Sequence, residues 1–249
     1  MGQQCQLDWF SVGKCGVRLV KYCEVICKNL ISLLVIACFM CSLILVRTSA
    51  KVSASVGNSS MVGGKCMISF PQVYLNKNQK NAEDKINDDI YSYVMIFKNG
   101  IQNGGFDSGQ LAYSVEYEDG NYISILFKEK TYSDSAKQPE LDAIGFNYNK
   151  WTGERMHLSK FVELKSDDIG IIMNQPLYSI ENGTFISKSD SFIDFYLQRD
   201  NARVSYNYFI TKNGAIGLLY RPHELAASEY GCTYIELNSR IIKYFNERK

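Results

Sequence analysis

One stretch of the sequence constrains the chain more than any other: Leu30 to Val46, "LISLLVIACFMCSLILV", is apolar throughout apart from Ser32 and Ser42. Seventeen residues at about 1.5 Å each make roughly 25 Å of helix, near the short limit for crossing a bilayer. A helix of this length buried in a soluble core would carry a polar face, and this one has none. The sequence therefore predicts a transmembrane helix over 29–47. That helix divides the chain into a short cytoplasmic segment, 1–28, a flexible linker, 48–65, and a domain over 66–249.

The flanks orient the helix. Lys14, Arg18, Lys21 and Lys28 precede it, whereas Arg47, Lys51 and Lys65 are spread along the chain after it. The positive-inside bias places the N-terminus in the cytoplasm and the large C-terminal part outside the membrane, on a single-pass anchor. The small residues of "RTSAKVSA" also suit signal-peptide cleavage after Ala50 or Ala54, which would make the protein secreted. The long stretch before the apolar run favours an uncleaved signal anchor. "VIAC" ending at Cys38 resembles a lipoprotein cleavage box, but the membrane run continues past it, and "MGQQCQ" lacks the Ser or Thr of a myristoylation site.

Beyond the anchor the charge is nearly balanced: residues 51–249 hold 22 Lys or Arg against 24 Asp or Glu. This gives no electrostatic reason to expect nucleic-acid binding. Of eight cysteines only Cys66 and Cys232 lie after the apolar run, where oxidation is permitted. They fall in the first and last strand-like segments, so a Cys66–Cys232 disulfide closing the domain is expected. Cys5, Cys15, Cys23 and Cys27 lack paired knuckle spacing and are read as reduced thiols, and no zinc site is expected from them.

The stretch 51–65, "KVSASVGNSSMVGGK", is small, polar and Gly-rich, as a tether would be. "MISFPQVYL" then reads as a strand whose Pro71 suits an edge or a bulge. Ala82, Ile86, Ile90, Val94, Phe97 and Ile101 recur at three- and four-residue spacing and predict an amphipathic helix. From Leu111 the period changes to two around Asp119-Gly120, a hairpin signal. A strand over Ala143–Tyr148 leads to a turn at Trp151-Thr152-Gly153 and a short strand and helix near Ser159. Helix is expected from an N-cap at Ser166 towards Asn174, and "FIDFYLQRD" is read as helix or strand. A second hairpin turns at Lys212-Asn213-Gly214, and "CTYIELN" and "SRIIKYFNER" read as a closing strand and a terminal helix. An early helix, several hairpins and no alternating βαβ order make the fold class α+β with a mostly antiparallel sheet and packed helices.

No catalytic constellation emerges. "RPHELAASEYG" begins like the zinc-protease pattern H-E-x-x-H, but Ala227 stands where the second histidine belongs, and the only other histidine is His157. No metal, no cofactor and no catalytic residue is expected. The carboxylate neighbours Asp88-Asp89, Glu116/Glu118 and Asp167-Asp168 read as solvated faces. Tyr113, Tyr117 and Tyr122, at spaced positions on the first hairpin, are candidate ligand contacts, since tyrosine is enriched at interfaces.

The order of these segments resembles the exported sensor region of anti-sigma-V-type factors, shared with the region ahead of the catalytic domain in some peptidoglycan deacetylases. Two motifs carry the resemblance: the strand and turn Phe146, Tyr148, Thr152 and Gly153, and the run Asn213, Gly214, Tyr220, Pro222, Glu224, Leu225, Ala226 and Gly231. In the second motif an aromatic commonly stands where this chain has His223, so His223 is expected to tolerate Tyr. The resemblance implies a non-catalytic, extracytoplasmic binding module of the bacterial cell envelope that recognises a protein such as lysozyme, or a cell-wall glycan. The chain departs from the anti-sigma members in its short segment before the apolar run, and from the deacetylases in lacking the aspartate and paired histidines of their catalytic domain after Asn238. The rival reading is an envelope enzyme or accessory component acting on peptidoglycan.

Overall fold

A computed structural model of the chain describes residues 53–63, 65–136 and 138–248. The expected transmembrane helix, the expected cytoplasmic segment and their six cysteines lie outside the described residues. Among the described residues no helix is long and apolar enough to cross a membrane.

Two five-stranded sheets organise residues 53–248. The first has the order β1-β2-β3-β4-β5, with β1 at Ser55–Gly63, β2 at Cys66–Tyr74, β3 at Ser108–Glu118, β4 at Tyr122–Tyr132 and β5 at Glu140–Asn149. Helix α1, Lys80–Gln102, crosses from β2 to β3 and buries Ala82, Ile86, Ile90, Val94 and Phe97, the stripe predicted by periodicity. Of these, Ile86, Ile90, Val94 and Phe97 pack on Ile68, Phe70, Leu111, Ile123, Ile125, Phe127 and Phe146 of the sheet. The helix stops where Gly104 turns left-handed at φ 75° and its N–H bonds back to the carbonyl of Ile101 at 3.2 Å. The β3–β4 hairpin is pinned by Asp119, whose Oδ1 accepts from the N–H groups of Asn121 and Tyr122 at 2.7 Å each.

The second sheet has the order β7-β6-β10-β9-β8: β6 is Leu177–Ser179, β7 Phe185–Ile186, β8 Tyr208–Ile210, β9 Ile216–Tyr220 and β10 Thr233–Leu237. One face is covered by α2 (Ile169–Ile172), α3 (Ile193–Leu197) and α4 (Ser239–Glu247) over a core that includes Ile172, Ile193, Leu218, Ile235 and Phe245. The Asn238 side chain caps α4 by accepting from the N–H groups of Arg240 and Ile241. The other face meets the first sheet through Leu126, Ala143, Phe209, Leu219 and Cys232.

The sheets are joined by polar contacts as well as apolar ones, because the edge strand β8 docks on β4 and β5. Its backbone would be left unpaired there, and side chains of the first sheet satisfy it: Asn147 Nδ2 donates to the Tyr208 carbonyl at 2.8 Å, and the Ile210 N–H donates to Ser124 Oγ at 2.9 Å. The Asn207 side chain does the same for edge strand β5, accepting from the Gly145 N–H at 3.1 Å and donating to the Ala143 carbonyl at 2.8 Å. Gly145 is required by this approach, since a Cβ there would lie 1.8 Å from the Tyr208 carbonyl oxygen.

The α+β class and the two hairpins are as the sequence predicts, with four corrections. Residues 55–63, read as part of a tether, form β1 and pair antiparallel with all of β2; their Gly and Ser content hides a strand that uses backbone bonds and offers little apolar periodicity. The Cys66–Cys232 disulfide is not formed, and both thiols are free. Cys66 packs at the margin of the α1 core, whereas Cys232 is buried in the layer between the sheets, so the two serve different clusters. One βαβ unit is present, because β2 and β3 pair in parallel over Cys66–Ile68. Pro71 lies beyond that parallel stretch, where the missing N–H costs β2 no bond to β3. The helix expected from Ser166 is a 3-10 turn, Ser166–Asp168, followed by the single turn of α2.

A polar candidate binding cleft along strand β5

A cleft of about 500 Å³ opens along β5, lined by Tyr93 from α1, Glu129, Asp142, Arg203, Asn207 and Arg221 among others. Register brings its two central carboxylates together: Glu129 on β4 is the direct cross-strand partner of Asp142 on β5. They share the face that carries Phe127 and Phe146 towards α1, since side chains alternate along a strand. Like charges placed directly opposite are destabilising, so this pair needs a compensating environment.

That environment differs for the two acids. Asp142 Oδ2 accepts from Arg221 Nη2 at 2.9 Å, and Asp142 Oδ1 accepts from the Ala143 N–H at 2.8 Å. Glu129 Oε1 accepts a short hydrogen bond from the Tyr93 hydroxyl. Burial pushes the Glu129 carboxyl above its ordinary value; the Tyr93 bond opposes this, and the charges of Asp142 and Glu140 add to it. Burial also pushes the Tyr93 hydroxyl well up, with the Glu129 charge second, so Tyr93 remains a donor. The far wall is fixed by tyrosines: Tyr196 donates to the Arg203 carbonyl at 2.9 Å, and Tyr220 accepts from the Ser205 N–H at 3.2 Å.

The loop after β9 completes the cleft. Pro222 and His223 occupy the corners of a turn closed by the Glu224 N–H on the Arg221 carbonyl at 3.2 Å, and His223 has φ 65°. Pro followed by a left-handed residue is the type II arrangement. The Glu224 side chain clamps it by accepting from the Arg221 N–H at 2.7 Å. "HELAA" is therefore a turn and not a zinc-binding helix, and His223 is exposed while its neighbours Arg221 and Glu224 line the cleft. His157 lines a different cleft, with Leu158, Ser159, Val162, Leu164 and Tyr206, none of them acidic. Among the described residues no three His, Cys, Asp or Glu side chains converge as metal ligands.

A second cleft of about 530 Å³, mostly apolar, lies between the two hairpin turns and α4. The structure brings Tyr117 and Tyr122 together there, with Phe161, Ile210, Ile216 and Ile242. Tyr113 is elsewhere, packed on the α1 core with its hydroxyl 3.5 Å from the Gly57 carbonyl. Of the motif residues, Phe146 and Tyr148 are core, and Tyr148 donates to Asp89 at 2.8 Å. Thr152 is exposed in the turn, whereas Gly153 is buried at φ 74° against α1, a Cβ there meeting the Ala82 carbonyl at 2.6 Å. Asn213 and Gly214 form the exposed β8–β9 turn, and Gly214 reaches the second cleft. Leu225 and Ala226 are core, Pro222 is at the turn corner, and Gly231 is left-handed at φ 64°. Only Tyr220 and Glu224 of the motif reach the polar cleft.

Of the acids expected to be solvated faces, one in each pair is engaged in an ion pair, while Asp88 and Asp167 are exposed as expected. Asp89 pairs with Arg155, Glu118 with the fully buried Lys150, and Asp168 with Arg248. Nothing local in the sequence singles out Tyr93, Glu129, Asp142 or Arg221 as site residues. Pairing β4 with β5 in register would have exposed the Glu129–Asp142 juxtaposition; neither acid has an acidic neighbour in the sequence, so proximity along the chain could not.

No family model matches the sequence, and no curated protein matches it. Solved structures similar to this chain include the following two. One is a DUF3298-family protein from Bacteroides fragilis, with TM-score 0.49 and 10% identity, covering 79% of this chain and 94% of that one. The other is a DUF3298-family protein from Pseudomonas aeruginosa, with TM-score 0.49 and 10% identity, covering 77% of this chain and 93% of that one. The structural neighbours are thus members of a domain family of unknown function.

Proposed function

We propose that this chain is a membrane-anchored, extracytoplasmic binding module without catalytic activity, and that it recognises a protein such as lysozyme or a cell-wall glycan. The anchor rests on the apolar run Leu30–Val46 and its flanking charges. The binding role rests on one observation above others. The polar cleft collects Tyr93, Glu129, Asp142, Arg203 and Arg221 from separate elements around an open volume that packing alone would fill. Glu129 and Asp142 face each other there at a cost to stability, which is how recognition sites differ from cores. Neither histidine is among the residues that line this cleft, and the acids lie beside arginine and tyrosine, a set suited to holding a polar ligand.

Calorimetric titration of the full-length protein in detergent micelles, with lysozyme and with soluble peptidoglycan fragments, tests this reading. Saturable binding to either, without release of cleaved product, is the expected result. Silence with both ligands, or turnover of the glycan, would overturn it.

A further inference from the structure

The polar cleft carries more charge information than a general binding role requires. Its walls present three carboxylates, Glu129, Asp142 and Glu224, against two guanidinium groups, Arg203 and Arg221. One of the cations is already committed, since Arg221 bonds Asp142 at 2.9 Å. Glu224 is held by the Arg221 backbone at 2.7 Å. Among the described residues Glu129 is hydrogen-bonded at Oε1 only, by the Tyr93 hydroxyl, and a hydroxyl brings no positive charge. Directly opposed residues on neighbouring antiparallel strands have Cβ atoms about 5 Å apart, so one compact group can contact both Glu129 and Asp142. The rings of Tyr196 and Tyr220, 6.0 Å apart, belong to the lining of the same cleft.

We propose that the cleft is a receptor for a single cationic group of the ligand, the guanidinium or ammonium of an arginine or lysine side chain, seated between Glu129 and Asp142 beneath the Tyr93 hydroxyl. An anion would meet two opposed carboxylates, and a neutral sugar hydroxyl would leave their repulsion countered by Arg221 alone. A monovalent cation brings the three carboxylates and two guanidinium groups of the lining to charge balance. This deepens the binding-module reading and rests on it, naming which feature of a protein ligand the cleft reads.

The test uses small probes with the full-length protein in non-ionic detergent micelles. Saturation-transfer NMR compares N-acetyl-arginine amide with N-acetyl-citrulline amide, its neutral near-isostere. Binding of the arginine probe is expected to exceed that of the citrulline probe by about tenfold or more. Glu129→Gln is expected to remove that preference, and Glu229→Gln, an equal charge change at an exposed residue outside the cleft lining, to keep it. Equal binding of the two probes, no binding of either, or an arginine preference that survives Glu129→Gln would overturn the proposal. A silent arginine probe alongside lysozyme binding would sink the cleft assignment alone. Arginine-probe binding without lysozyme or glycan binding would sink the proposed ligands and leave the cleft assignment standing.

Discussion

Glu129 shows how a residue can cost stability and still be kept. Its carboxyl is raised above the ordinary value of 4.5 by burial, with Asp142 and Glu140 adding to the effect and Tyr93 and Arg221 opposing it. A raised carboxyl means that the folded state holds its proton more tightly than the unfolded state. Its contribution is then most favourable below pH 4.5 and is lost as pH rises through the folded value. Glu129→Gln should therefore raise the thermal midpoint at neutral pH, with the gain shrinking as pH falls towards 4.5 in parallel melts. A second residue-scale case is His223, a non-glycine residue at positive φ. His223→Gly should stabilise by about 0.5–1 kcal/mol in urea titrations, because glycine occupies the left-handed corner of a type II turn without the Cβ penalty. The exposure of His223 is compatible with the tolerance of Tyr expected from the motif, while the left-handed backbone adds a cost that the sequence motif does not show.

At the scale of elements, legibility followed apolar periodicity. Helix α1 was readable because Ala82, Ile86, Ile90, Val94 and Phe97 form one buried stripe. The β3–β4 and β8–β9 hairpins were readable from Asp119-Gly120 and Asn213-Gly214. Strand β1 was not, because "SVGNSSMVG" draws its order from the backbone ladder with β2 and places only a few side chains, such as Val56 and Met61, against the core. Amide hydrogen exchange resolves this point. Residues 56–62 should include protected amides, whereas a tether would exchange at the rate of unstructured chain throughout.

The two sheets form one body through the docking of β8 on β4 and β5. Nothing local in the sequence announces this, because Ser124, Asn147 and Asn207 act across 61 or more residues. The same docking places Arg203, Asn207 and Arg221 of the second half beside Glu129 and Asp142 of the first, so the candidate site is a product of the whole molecule. Only its motif residues Tyr220 and Glu224 were singled out from sequence, and Tyr117 and Tyr122 lead to a separate, more apolar cleft. Gly145→Ala should destabilise by about 3 kcal/mol in chemical denaturation, since its Cβ would collide with the Tyr208 carbonyl at 1.8 Å and push the sheets apart.

Ligand recognition is proposed for the cleft where the sheets meet. Parallel calorimetric titrations of lysozyme into the full-length wild type and its Glu129→Gln variant, both in detergent micelles, test it most directly. Saturable binding to the wild type and an affinity about tenfold lower or worse in the variant, with the fold intact, are expected. Equal affinity of the two proteins for lysozyme would contradict it.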